Sequence, residues 1–231
     1  MFRGTWGLGV AAAALVMSGA AAMAADIGPM DAEPPMAAPV ANYDWFLHVG
    51  PAGVFFSESA DVSAGGAAVA GSDAKIDNDL AVTLDIGYYV TPDISLSLTL
   101  ANAPLAVVNG AGSLSGLGAL GKLNYLPPVL AVQYHFPEFY HVRPYIGAGV
   151  NYTMFFNEKD AALTNFKVDN AFGAVLQAGV DVMLSEQLGL FVDVKHVWLS
   201  TDATGVLGAT PVKADVTLDP TIVTAGLTYR F

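Results

Sequence analysis

The chain has no cysteine. That removes disulfides, thiol nucleophiles and thiolate metal sites, and it leaves the compartment open, because an absent residue does not name one. Charge is scarce too. Charged residues fill 13% of the 231 positions, against about 25% in an ordinary soluble domain. Only 9 residues are Lys or Arg, against 21 Asp or Glu, and no basic run occurs, which excludes nucleic acid as a partner. From Tyr43 onward no run of about 18 apolar residues occurs, so no membrane-crossing helix is expected there. Yet 54% of the chain is hydrophobic. A composition this poor in charge and rich in apolar residues points to a surface that faces lipid.

The clearest positive signal is the last stretch, T-I-V-T-A-G-L-T-Y-R-F, residues 221–231. Val223, Ala225, Leu227, Tyr229 and Phe231 form one apolar row, and Thr224, Gly226, Thr228 and Arg230 form the other. A period of two is a strand with one greasy face and one wet face. As a free edge it would be sticky. Paired with the first strand, it closes a barrel. The same alternation predicts strands over 45–57, 80–90, 94–101, 129–136, 142–156, 172–184 and 188–195. Long connections over 59–78, 107–125, 157–170 and 201–214 alternate with short ones at 91–93, 137–141 and 185–187. This pattern predicts an all-β fold, an eight-stranded antiparallel transmembrane β-barrel of the outer-membrane type over 43–231, with both termini periplasmic. The wet rows are Ser, Thr, Gly, Gln and Asn rather than Lys and Glu. That suits the tight interior of a small barrel, not the outside of a soluble one. Aromatics near strand ends, Trp45, Phe46, Phe56, Phe155, Trp198 and Tyr229 among them, are expected to form interface girdles.

Ahead of the barrel, Arg3, an apolar stretch and Ala22-Met23-Ala24 predict a cleaved signal peptide over 1–24, with a permanent membrane helix as the competing reading. Residues 25–42, with Pro29, Pro34, Pro35 and Pro39, read as an extended Pro/Ala-rich periplasmic leader.

The inward rows carry six charges: Asp85, Arg143, Asp181, Asp193, Lys195 and Arg230. Unpaired buried charge is costly, so they are expected to neutralise one another. The resulting lumen network is either a structural plug or a selectivity ring. Pro104 and Pro220 each remove a ladder hydrogen bond and are candidate lateral openings. His48, His135, His141 and His196 are scattered, lack a metal-ligand spacing and accompany no nucleophile motif, so neither a catalytic nor a metal site is predicted. No cofactor site is predicted either: Gly147-Ala148-Gly149 lacks the strand–turn–helix setting of a dinucleotide fold.

L-P-P-V-L-A-V-Q-Y-H-F (126–136), R-P-Y-I-G-A-G-V-N-Y-T-M-F-F (143–156), V-K-H-V-W-L-S-T (194–201), L-D-P (218–220) and the closing Y-R-F occur in order. In this series the chain resembles the OmpW family of Gram-negative outer-membrane proteins. The resemblance implies a monomeric barrel with a narrow, largely hydrophobic lumen, seated in outer-membrane lipids and passing small hydrophobic solutes. The alternative is a structural or surface-recognition barrel without transport. The ending on Tyr229 and Phe231 also resembles the signal read by the outer-membrane assembly machinery; the plainer reading is an interface anchor.

Overall fold

The computed structural model describes residues 44–231; the expected signal peptide (1–24) and leader (25–42) lie outside the described residues. In chain order the strands are β1 (Trp45–Phe55), β2 (Ser59–Ala64), β3 (Ala67–Ala68), β4 (Ser72–Ile76) and β5 (Asp79–Tyr89). Then come β6 (Ile94–Ala101), β7 (Leu105–Gly112), β8 (Ala119–Leu126), β9 (Val129–His135) and β10 (Val142–Asp160). The last are β11 (Thr164–Val168), β12 (Ala171–Met183), β13 (Leu188–Leu207), β14 (Thr210–Thr217) and β15 (Thr221–Arg230).

Eight of these close a ring. β1, β5, β6, β9, β10, β12, β13 and β15 pair antiparallel in that order, and β15 returns to β1 from Phe46↔Arg230 to Phe55↔Thr221. The seal runs to the rim: Trp45 N donates to Phe231 O (3.1 Å) and Phe231 N to Trp45 O (3.0 Å). All eight follow the alternation read from the sequence.

Their outward row is apolar and exposed, with Leu96, Leu130, Val132, Ile146, Leu176, Leu190 and Val192 each about half exposed. Their inward row is polar and buried: His48, Asp85, Ser95, Gln133, Asp181 and Lys195 are nearly inaccessible. A soluble barrel has the reverse. Aromatic pairs ring both ends of the apolar belt. Trp45–Tyr88 and Tyr134–Phe136 lie toward the termini, and Tyr152–Phe172 and His196–Trp198 lie at the opposite end. From Leu188 to Trp198 a strand rising about 3.3 Å per residue and tilted about 40° spans roughly 25 Å, the height of a bilayer-facing band.

The long connections are not loops. They carry β2–β4, β7, β8, β11, β14 and the far ends of β10 and β13, which prolong the wall into a crown. Here the faces invert. Beyond Trp198 the outward row of β13 becomes Ser200 and Asp202, while its inward row becomes Leu199, Thr201 and Ala203. Lys213 and Asp202 pair on the outside at 3.4 Å. The crown is therefore built for water outside and apolar contents inside. Alternation in the Ala/Gly-rich stretches, such as Ala60 and Val62 inward against Asp61 and Ser63, carries too little apolar contrast to read as strand.

The crown's strands form two ladders, β11–β13–β14–β2–β3 and β10–β8–β7–β4. At one of the places where the two ladders meet, β2 and β4 run side by side. Among the described residues no backbone ladder pairs these strands; side chains stitch them. Asp73 Oδ1 accepts from Ala60 N (3.0 Å) and Ala74 N (2.9 Å), Ser72 Oγ from Val62 N (3.1 Å), and Glu58 Oε1 from Ile76 N (3.3 Å).

Candidate functional site

The half of the lumen nearer the termini is solid. Phe46 on β1 is fully buried, and its ring lies over Gly87 of β5, where an added Cβ would sit 1.9 Å from Cζ. It contacts His48, Tyr89 and His135. The sequence reading placed Phe46 in an interface girdle. The structure places it inside, because Trp45 takes the outward position and adjacent residues of a strand face opposite ways. Phe56 and Phe155, also expected in the girdles, line the lumen further up.

Two charge groups are set in this plug. In the deeper one, Lys195 Nζ on β13 lies 2.5 Å from Asp193 Oδ1 and 3.6 Å from Asp85 Oδ2. Tyr145 Oη donates to Asp193 Oδ2 (2.9 Å), and Thr99 Oγ1 donates to Asp85 Oδ2 (3.1 Å). In the group at the termini end, Arg230 Nη2 lies 3.2 Å from Asp181 Oδ2, and its Nη1 lies 3.4 Å from Glu138 Oε2. His48 Nε2 lies 3.1 Å from Asp181 Oδ1, out of line for a good hydrogen bond, and its ring stacks on Phe191 at 4.3 Å. His135 Nε2 contacts Ser95 Oγ (3.0 Å) and Gln133 Oε1 (3.1 Å), closing a third polar patch.

Of the six charges predicted for one network, Asp85, Asp193 and Lys195 meet, and Asp181 meets Arg230. Arg143 joins neither group. It lies at the rim, with its guanidinium carbon 5.1 Å from the Tyr89 ring centroid and Nη2 3.9 Å from Asp93 Oδ1, donating to the Pro92 carbonyl. Alternation correctly gives its face but not its height, and a long side chain at rim level reaches the turn beside it. Sequence reasoning missed Glu138, which comes from a connection, and His48, whose place on the wet row of β1 was the available signal.

Above the plug the lumen turns apolar. Val129, Val175, Val197, Leu199 and Leu218 form a floor, and Phe56, Ile76, Tyr125 and Phe155 pack over it. Phe56, Ile76, Tyr125, Phe155, Val197, Leu199 and Leu218 line about 1020 Å³ of empty space, open solvent at its mouths included. Glu58 reaches this cavity, but its carboxylate is engaged by the Ile76 amide. Burial pushes the Tyr125 phenol up, so that group stays neutral. Such a cavity offers an occupant apolar contact and little else.

The wall beside it is interrupted at one of the two prolines. At Pro104 the β5–β6 ladder ends with Asn102 N donating to Val82 O (3.2 Å) and Val82 N to Asn102 Oδ1 (2.7 Å). Pairing resumes only at Ile76↔Val108 between β4 and β7. Asn124 Nδ2 holds the Ala103 and Pro104 carbonyls at 3.1 and 3.0 Å on the opposite side. The exposed Leu80 and Leu105 flank the gap, and the cavity reaches Ala81, Asn102 and Pro104. At Pro220 the wall is continuous. Pro220 O accepts from Val197 N (3.0 Å), Leu218 N donates to Leu199 O (2.8 Å), and Asp219 Oδ1 caps Leu199 N (2.9 Å). The proline's missing donor costs nothing there, because its neighbours supply the bonds.

The sequence model of the OmpW family matches residues 42–231. The dibenzothiophene metabolism operon protein PahQ of Pseudomonas aeruginosa is 37% identical over 187 residues, covering 81% of this chain and 88% of that protein. Outer membrane protein AlkL of Ectopseudomonas oleovorans is 33% identical over 189 residues, 81% of this chain and 82% of that one. The crystal structure of the outer membrane protein OprG from Pseudomonas aeruginosa matches at a TM-score of 0.77 with 29% identity, covering 81% of this chain and 95% of that chain. With its closed barrel, outward apolar belt and aromatic rings, the chain belongs to the OmpW family of Gram-negative outer-membrane β-barrel proteins.

Proposed function

We propose that the protein is a passive, non-catalytic channel that admits small hydrophobic molecules through its crown and releases them sideways at Pro104. The observation that carries this reading is an apolar cavity seated on a charged plug and reaching a gap in the wall. Magnitudes choose between the two exits. A small hydrocarbon burying roughly 200 Å² gains about 5 kcal/mol in the cavity, at about 25 cal/mol per Å². Passing straight down would break buried ion pairs, each worth about 3–5 kcal/mol once one partner is left alone, with no polar contact in return. The gap at Pro104 has no ladder to break and opens between Leu80 and Leu105, toward the hydrocarbon of the bilayer. The name of PahQ ties that relative to dibenzothiophene metabolism, and dibenzothiophene is a flat, apolar molecule of suitable chemistry. In this reading the termini lie on the periplasmic side, a single copy works alone among outer-membrane lipids, and the assembly machinery reads Tyr229 and Phe231 on the last strand.

The test is the uptake rate of dibenzothiophene by cells making the protein, compared with the same cells without it and with cells making the variant Leu105→Lys, which sets a charge at the outer lip of the Pro104 gap. Faster uptake, lost in the variant while the folded barrel persists, is the expected result. Equal uptake with and without the protein would overturn the channel reading in favour of a structural or surface-recognition barrel.

A further inference from the structure

The apolar cavity above the plug is not the only chamber. A second, with about 610 Å³ of empty space, open solvent at its mouth included, lies within the crown and is lined by Val62, Val69, Leu114, Leu117, Leu120 and Leu207 among others. The two chambers share five wall residues: Ala74, Val108, Phe166, Ala203 and Val216. Four of these are short side chains on the crown's strands. Phe166 is the one aromatic in the shared ring, and it is 4% exposed.

Its position is set by several independent features. β11 is a short strand laddered to β13, with an irregularity between Thr164 and Lys167. Asp160 at the end of β10 accepts from the amides of Asn165 (3.1 Å) and Phe166 (2.9 Å). Asn165 has φ 51, in the left-handed region, which turns the following residue inward. The ring then lies flat on Gly121 of β8, where a Cβ would fall 2.3 Å from Cδ1 and 2.5 Å from Cγ. A glycine is needed there for the ring to lie back against the wall.

We infer that Phe166, held back by Gly121, sets the width of the passage between the crown chamber and the cavity, and so selects among hydrophobic solutes by cross-section. This rests on the channel reading above and deepens it. Aliphatic neighbours leave the ring as the widest movable object in the shared wall. Pressed against Gly121 it leaves the passage open; driven off it, the ring enters the path.

Two substitutions therefore act in opposite directions, and their combination is diagnostic. The probes are n-decane, a narrow flexible chain, and phenanthrene, a rigid three-ring plate, and the readout is the phenanthrene-to-decane ratio of uptake rates. Phe166→Ala is expected to raise the ratio, and Gly121→Ala to lower it roughly tenfold, the low end of what one methylene achieves in a fitted apolar site. The double variant F166A/G121A should return to the F166A ratio, since the new methyl then meets no ring. Retention of the folded barrel is checked by heat-modifiable migration. If F166A fails to fold, Phe166→Leu takes its place with the same expected direction. Wild-type uptake of decane with a ratio that neither substitution moves, or a double variant as low as G121A alone, overturns this inference and leaves the channel reading standing. Uptake of neither probe by the wild type overturns both.

Discussion

At the scale of single residues, Asp181 carries the heaviest demand. It is fully buried, with Arg230 on one oxygen and the His48 ring beside the other. Asp181→Ala leaves the guanidinium of Arg230 in a sealed lumen with only the half-exposed Glu138 as partner. Loss of one member of a buried pair costs about 3–5 kcal/mol. The expected result is a marked fall in thermal stability of the barrel in lipid, with the double variant D181A/R230M recovering part of it because no charge is then stranded. Unchanged melting with altered conductance would show instead that the group tunes passage rather than holding the plug. Much of this site was legible from alternation: it put Asp85, Asp181, Asp193, Lys195 and Arg230 inside. It could not say that they divide into two groups, nor that Arg143 leaves for the rim. Parity fixes the face of a side chain, whereas partners depend on strand stagger and on how far a long side chain reaches.

At the scale of elements, the eight barrel strands and the crown strands differ in how clearly they read. β12 alternates Phe172, Leu176 and Val180 against Gly173, Gln177 and Asp181, a strong contrast between faces. β2, S-A-D-V-S-A, and β4, S-D-A-K-I, offer small residues of weak contrast, and their polar side chains suggest turns. Those same polar side chains are what join the two strands. Replacing backbone pairing by side-chain caps leaves a seam whose stability hangs on a few groups. Asp73→Ala should therefore speed hydrogen exchange at the amides of Ala60 and Ala74 while leaving Phe46 and Val49 on β1 as protected as before. Slow exchange at Ala60 in that variant would mean the seam is held by something other than the carboxylate.

At the scale of the whole molecule, the inversion of faces at Trp198 fixes the protein's depth in the membrane. Below it apolar side chains face out and charges face in; above it the order is exchanged. Val192→Arg, midway along the belt, is expected to cost about 2–4 kcal/mol in unfolding experiments from lipid bilayers. Thr210→Arg, exposed on the crown, should change stability by no more than about 0.5 kcal/mol. Equal effects at both positions would mean that the belt is not where the lipid lies. The closure of β1 on β15 has a further consequence, in time rather than in space. Hairpins such as β5–β6 and β12–β13 join neighbours in the chain and can form early, at little loop-closure cost. The β1–β15 pairing joins the two ends of the described chain and must wait for both. Until then the nascent sheet keeps two sticky edges and a lumen whose Asp and Lys side chains are still hydrated. Plug desolvation and edge closure thus fall in one late step, the interval in which a bound chaperone would shorten or prolong the protein's exposure to aggregation.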